Sequence, residues 1–338
     1  MRLKIGAIFI VALAFGLFLY HNWQTLRKPF THDEVDYVVC AEKGIWHNAM
    51  GLQTLSLQEL LILGKLKKEG NSQAIAQYAA ILADPNQDVF VLRHYHPPLP
   101  VYYWSIFNAT DVATHEQLLR VSNWLLLLFA GVLFYVLLGR ESGFSALMVA
   151  MVYATFLLSD LTAFAFNTLH FHSFLGLFSV FFLFALMRFL QEQSSKNLYL
   201  LAAGIALMLL SLESSVFVLG IVFLAVLFTG GLKKFSLKKT FFLVAISALI
   251  TTLIWPAFVL KGELIKSVGM YVSRIFVNDN LEYNQVSHLQ NWKEIFLMVP
   301  VLWLLFLFAQ VVAVRAALRN KSSQLLLPFA IGWGYCLL

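Results

Sequence analysis

Charged residues are scarce in this chain: Asp, Glu, Lys and Arg make up 12% of its 338 residues against 60% hydrophobic, and the mean hydropathy is +0.75. So few charges cannot cover the surface of a water-soluble fold of this size, which excludes an ordinary soluble globular protein. Cysteine is scarcer still. Cys40 falls in a polar segment and Cys336 in the last apolar run. The two stand at different depths, so no structural disulfide is expected. A canonical glycine-rich nucleotide loop is also missing. The cationic surplus, 24 Lys and Arg against 18 Asp and Glu, does not imply a nucleic-acid partner, because half of those cations sit in short loops between apolar runs.

Long apolar runs are what the chain has in abundance. A membrane crossing takes about 20 mostly apolar residues, and such windows recur near 5–21, 123–138, 144–163, 169–188, 198–212, 215–230, 240–260, 295–314 and 324–338. Nine spans are therefore expected, making an all-α polytopic membrane protein. The fifth and sixth are the shortest. They share Glu213-Ser214-Ser215, which reads as a tight outer turn and not as charge buried in the bilayer. Residues 1–20 have the basic start and apolar run of a signal peptide but no small-x-small cleavage site, so a retained first span is expected. The last run reaches Leu338, as a truncated chain would.

Short cytoplasmic loops are enriched in Lys and Arg. Arg2 and Lys4, Arg140, Arg188 and Lys196, Lys233, Lys234, Lys238 and Lys239, and Arg315, Arg319 and Lys321 fall on alternate sides of successive spans. That assignment divides the chain into a first span (1–22), a long outer loop (23–122), a bundle of about six spans (123–260), a second outer loop (261–293) and two last spans (294–338). An integral multi-pass protein follows, of the plasma (inner) membrane if the source is bacterial, with its polar chemistry on the periplasmic or extracytoplasmic side. The second outer loop carries Lys266, Arg274, Asp279 and Glu282 without a recognisable motif.

The first outer loop holds two clusters, Thr31-His32-Asp33-Glu34-Val35-Asp36-Tyr37 and His94-Tyr95-His96-Pro97-Pro98-Leu99. Three carboxylates within four residues just beyond a span form a water-facing acid/base group at headgroup level. Leu57, Leu60, Leu61 and Leu66, then Ile75, Ala79 and Leu82, recur at helical spacing on either side of a break at Gly70-Asn71. Two interfacial helices are expected there, with a small packed lobe as the alternative. Pro97 and Pro98 stiffen the chain after His96. Tyr102, Tyr103 and Trp104 read as headgroup anchors, with stacking on substrate as the alternative.

The order Asp-Glu, interfacial helices, His-Pro-Pro-Leu, second span is similar to that of GT-C membrane glycosyltransferases. His32-Asp33-Glu34-Val35 and His96-Pro97-Pro98-Leu99 more closely resemble the paired motifs of protein O-mannosyltransferases and of bacterial lipid A aminoarabinose transferases, and Arg120 and Gly139-Arg140 fit the same pattern. The resemblance covers about residues 1–230. It implies a GT-C type helical bundle and inverting transfer of a sugar from a polyprenyl-phosphate donor to a protein, lipid or cell-envelope acceptor. Membrane lipids would be the other partners.

Asp33 is the candidate base, with Glu34 beside it as catalytic partner or acceptor-orienting group; nearby Glu34 and Asp36 disfavour further negative charge and make Asp33 more basic. A phosphate leaving group needs cationic stabilisation more than protonation, which points to Arg93, Arg120 and Lys28, with His96 hydrogen bonding the carrier phosphate or the acidic loop and Asp36 lining the substrate site. No cofactor is required. A divalent cation held by His94 and His96 with Asp33 or Glu34 is the alternative role for the histidines. Asp160, His170 and His172 read as polar caps at helix ends. A transporter or flippase of lipid-linked substrates, or a noncatalytic protein of the same fold, are the alternative functions; the near-lack of charge in the middle of the expected spans speaks against transport.

Overall fold

A computed structural model describes residues 2–30, 33–50, 65–66, 69–73, 76, 96–107, 112–134 and 146–260, with isolated helical positions between 297 and 314. Among these residues all regular structure is helical. Four helices are long and apolar enough to cross a membrane, Ile5–Arg27, His115–Leu133, Phe171–Gln191 and Leu237–Ile254, which marks the chain as a membrane protein. Helices satisfy their backbone groups internally, the condition for crossing hydrocarbon.

The chain opens with α1 (Arg2–Asn22), which passes through a 3₁₀ turn (Trp23–Arg27) towards α2 (Asp33–Glu42) and α3 (Gly44–Met50). Gly44 supplies the φ of 85° at the α2–α3 corner, a conformation that a side chain disfavours. Asn48 Nδ2 donates to the Cys40 and Gly44 carbonyls at 2.6 and 2.8 Å and so satisfies the end of α2. After Pro97-Pro98 comes α4 (Leu99–Ser105), then α5 (Val112–Phe134), α6 (Ala146–Leu157) and α7 (Asp160–Asn167). The rest is an up-and-down array of α8 (Phe171–Gln191), α9 (Ser195–Leu209), α10 (Ser215–Phe228) and α11 (Leu237–Ile254), with α12 (Ala257–Leu260) after it.

Helix α9 packs between α8 and α11, and α1 packs along α6. Ala202, Gly204 and Ala206 face inwards on α9, and small residues let membrane helices approach closely where no hydrophobic driving force distinguishes helix from lipid. A Cβ on Gly204 would stand 3.0 Å from the Phe182 Cα of α8. Ser247 of α11 donates to the Ala202 carbonyl at 3.2 Å.

The array has two ends of opposite character. Phe171, the Leu210–Ser214 turn and Ile254 lie at one end, together with α4: Leu99 N–H donates to Leu210 O at 3.1 Å and Tyr102 OH to Ile254 O at 2.9 Å. The α8–α9 and α10–α11 connections lie at the other, about 30 Å away by the length of α8.

Several expectations change. The 144–163 window is divided between α6 and α7, because Ser159 accepts the Thr162 N–H and caps a new helix. Windows 198–212 and 215–230 form α9 and α10, apolar but short of spanning length. Arg120, expected before the second span, lies inside α5. Trp104 is not a headgroup anchor: it is fully buried, donates to Asn123 Oδ1 at 3.0 Å, and meets the Phe174 ring edge-on. At the expected helix break, Gly70 takes a φ of 68° and Asn71 N–H returns to Leu66 O at 3.1 Å, closing a turn; most of both flanking helical segments, Arg140, Cys336 and most of residues 261–338 lie outside the described residues.

Gly204→Val is expected to lower stability by about 1–3 kcal/mol through overpacking. Gly220→Ala, whose added Cβ meets nothing within 4 Å, should leave it nearly unchanged. Thermal unfolding in detergent compares the two.

Candidate functional site

Polar side chains inside a membrane bundle must find partners in one another, and here they gather at the end of the bundle where α2, α4, α5, the α7–α8 link and the α9–α10 turn meet. Arg120 of α5 is its centre. Its Nη1 donates to Glu34 Oε1 at 3.0 Å and its Nη2 to Glu34 Oε2 at 3.3 Å, a two-pronged ion pair between side chains that are 4% and 8% exposed. Arg120 also donates to the carbonyls of Asn167, Lys28 at 3.3 Å and Pro29 at 3.4 Å, and its guanidinium lies 5.0 Å from the Phe30 ring centroid. Glu34 in turn accepts the Leu169 N–H at 2.9 Å. One charge pair thus ties α2, α5, the segment after α1 and the link into α8.

A second tie lies one helix length along α2, where His115 Nδ1 is 3.5 Å from Glu42 Oε1. Beneath the ion pair, amides continue the network. Asn167 Nδ2 donates to Asn22 Oδ1 at 2.5 Å, Trp124 Nε1 to Asn167 Oδ1 at 3.1 Å, and Asn123 Nδ2 to Thr168 O at 2.7 Å. The end of α1 is fixed to α5 and α7 by these bonds.

His96, immediately before the two prolines, is buried with its Nδ1 2.8 Å from Glu213 Oε2, the side chains being 6% and 2% exposed. The bond to Glu213 fixes the orientation of the His96 ring. The Phe171 ring centroid lies 5.0 Å from that of His96 and the Tyr37 centroid 6.4 Å away. Tyr37 belongs to α2, one turn past Glu34, and also packs on Phe171 at 4.5 Å and His170 at 6.3 Å. Through Tyr37 the Asp-Glu cluster and the His-Pro-Pro-Leu segment come together. On α4, burial pushes the Tyr103 phenol up to about 12 and that of Tyr102 higher still. Both act as neutral donors, Tyr103 OH to the Ser122 carbonyl at 2.6 Å.

Among the residues singled out from sequence, the structure brings Glu34, Arg120 and His96 to this end of the bundle. Glu34 and Arg120 hold each other, and Lys28 takes part through its carbonyl while its side chain is exposed. Asp33 opens α2 and Asp36 stands one turn later; their side chains, with the whole of Arg93 and His94, lie outside the described residues. Among the described residues, no group of three or more His, Cys, Asp or Glu is placed to hold a metal ion. His170 caps α8, accepting the His172 N–H at 3.3 Å, as expected of a helix-end cap, and its Nδ1 is 2.5 Å from that of His172. Asp160 begins α7.

Glu213 lies in a turn, as expected, and there it is buried against His96, a partner that residue order does not indicate. It is the sole acidic residue between Glu192 and Glu263, and a lone carboxylate in so apolar a stretch is itself a signal of a buried partner. No protein-family model matches the chain, and neither a curated protein nor a solved structure matches it.

Arg120→Leu leaves the Glu34 carboxylate buried without its cation and is expected to cost about 3–5 kcal/mol. Glu34→Leu/Arg120→Leu removes both charges and should recover much of that loss, which thermal unfolding of the single and double variants measures. For His96→Gln and Glu213→Gln, a double-mutant cycle is expected to give a coupling of about 0.5–3 kcal/mol.

Proposed function

We propose that this chain is an inverting glycosyltransferase of the GT-C type, moving a sugar from a polyprenyl-phosphate carrier to a protein, lipid or cell-envelope acceptor on the outer face of the membrane. The observation that carries the reading is the convergence of two motifs some sixty residues apart. The start of α2, with Asp33 and Glu34, meets the His96-Pro97-Pro98-Leu99 segment through Tyr37, at the end of helices able to span a membrane. A lipid-borne donor presents its phosphate and sugar at that depth.

In this reading Asp33 takes the acceptor proton or orients the acceptor as attack on the anomeric carbon begins. Glu34 fixes the start of α2 through Arg120 and the Leu169 amide, so that Asp33 is carried by an anchored backbone. The carrier phosphate leaves as an anion and is stabilised by cationic donors. Arg93, Lys28 and His96 are the candidates, with Arg120 beside them: its buried Nε–H has no partner among the described residues. Inversion follows from a single displacement. In this reading the opposite end of the bundle, with its cationic loops, faces the cytoplasm. No cofactor is needed for this displacement, and a divalent cation near His94 and His96 would act on the phosphate charge.

A buried Arg–Glu ion pair and a buried His–Glu hydrogen bond in a helical bundle also suit a transporter of lipid-linked substrates. The two readings part on chemistry. Membranes containing the full-length chain are given radiolabelled polyprenyl-phosphate sugars, and transfer to endogenous acceptor is expected to fall by about 10²–10⁴-fold with Asp33→Asn. Transfer unchanged by the substitution removes Asp33 as base. No transfer from any donor, with labelled lipid crossing the bilayer, would establish transport instead.

A further inference from the structure

At the end of the bundle away from the ion pairs, the connections of α8 to α9 and of α10 to α11 converge. Gly230, with a φ of 72°, turns the chain into a 3₁₀ turn, Gly231–Lys234, that packs against α8: a Cβ on Gly231 would lie 3.6 Å from Leu190. The Phe235 ring then rests 4.9 Å from that of Phe189. Lys239, in the first turn of α11, reaches across to α8, its Nζ 5.9 Å from the Phe189 ring centroid and donating to Gln193 Oε1. These contacts bring Arg188, Lys196, Lys233, Lys234, Lys238 and Lys239 to one small region, where Glu192 is the acidic residue of the two connections.

Two helix N-termini add to this charge. Helices α9 and α11 both begin here, each capped by a serine, Ser194 on the Asn197 N–H and Ser236 on the Lys239 N–H, and neither has an acidic residue in its first turn. A helix start already carries about half a positive charge, so Lys196, Lys238 and Lys239 stand where cations are electrostatically unfavourable. An anion relieves that repulsion. Beside the lysines, Leu237 and Phe241 lie four residues apart on α11, 89% and 68% exposed, giving an apolar strip directly below a cationic cap.

We propose that this region is a binding site for an anionic phospholipid of the surrounding leaflet, its phosphate held by Lys234, Lys238 and Lys239 and its acyl chains laid along Leu237 and Phe241. Cationic donors above and apolar surface below match the two parts of that one molecule, and a membrane-spanning helix such as α11 holds them at headgroup depth. The inference stands apart from the proposed glycosyl transfer and needs no catalytic activity.

The full-length protein, purified in neutral detergent, is titrated with phosphatidylglycerol or phosphatidylcholine and bound lipid is counted by native mass spectrometry. Phosphatidylglycerol is expected to bind at least tenfold more tightly at low salt, and the preference to shrink as salt is raised. Each lysine removed should weaken it about fivefold, so Lys234→Gln/Lys238→Gln/Lys239→Gln loses about a hundredfold. Lys43→Gln, an exposed lysine at the opposite end of the bundle, should change nothing. Equal affinity for both lipids, an unaltered triple variant, or an equal loss with Lys43→Gln would overturn the site. The wild-type lipid preference and its salt dependence decide the matter without any variant, should the triple substitution fail to fold.

Discussion

A guanidinium and a carboxylate taken out of water each carry a desolvation penalty of several kcal/mol, which only good geometry and full hydrogen bonding offset. The Glu34–Arg120 pair has the geometry, a two-pronged contact, and bonds to the carbonyls of Lys28, Pro29 and Asn167 and from the Leu169 amide occupy the rest of it except the Arg120 Nε–H. Those partners come from two stretches of chain, the segment after α1 and the link from α7 into α8. Moving any one of them would leave a buried charge short of a partner. The position of α2, of the segment joining it to α1 and of the α7–α8 link is therefore set by one pair. Tyr37, a turn along α2, then has a fixed place against His96 and Phe171.

Elsewhere the fold depends on close approach and on shared hydrogen bonds, since burial from lipid offers little hydrophobic gain. Small residues let α9 lie against α8, and side-chain amides join α1, α5 and α7 where a soluble protein would use apolar packing alone. Polar density is consequently concentrated at the two ends. One end holds buried polar pairs; the other holds lysines at helix starts. Such an arrangement keeps the middle of the bundle apolar and lets its ends carry separate chemistry.

The helices were largely legible from residue order. Apolar windows at 5–21, 169–188 and 240–260 correspond to α1, α8 and α11, and the two windows expected to be short became α9 and α10. The division of 144–163 was less legible, because Ser159-Asp160 interrupts an apolar window without altering its mean hydropathy enough to show; its effect comes from a specific cap, Ser159 on Thr162. For Trp104 residue order does not separate anchor from core, because an aromatic beside a span suits the interface as well as the core. Asn123 and Phe174 decide for the core, and they come from other helices. Within the candidate site, Glu34, His96 and Arg120 could be picked out by type and neighbourhood, whereas Glu213 could not be paired with His96 across 117 positions.

The sequence by itself determined that the chain is helical and apolar enough for a membrane, and where along it the polar clusters fall. Those properties are sums over neighbouring residues, and hydropathy, capping and local charge are local quantities. Only the tertiary structure decided which polar group meets which: Arg120 with Glu34, His96 with Glu213, and Lys239 with the end of α8. The reason is physical. A buried charge selects its partner by the geometry of the space left between packed helices, and that space does not exist until the helices have assembled.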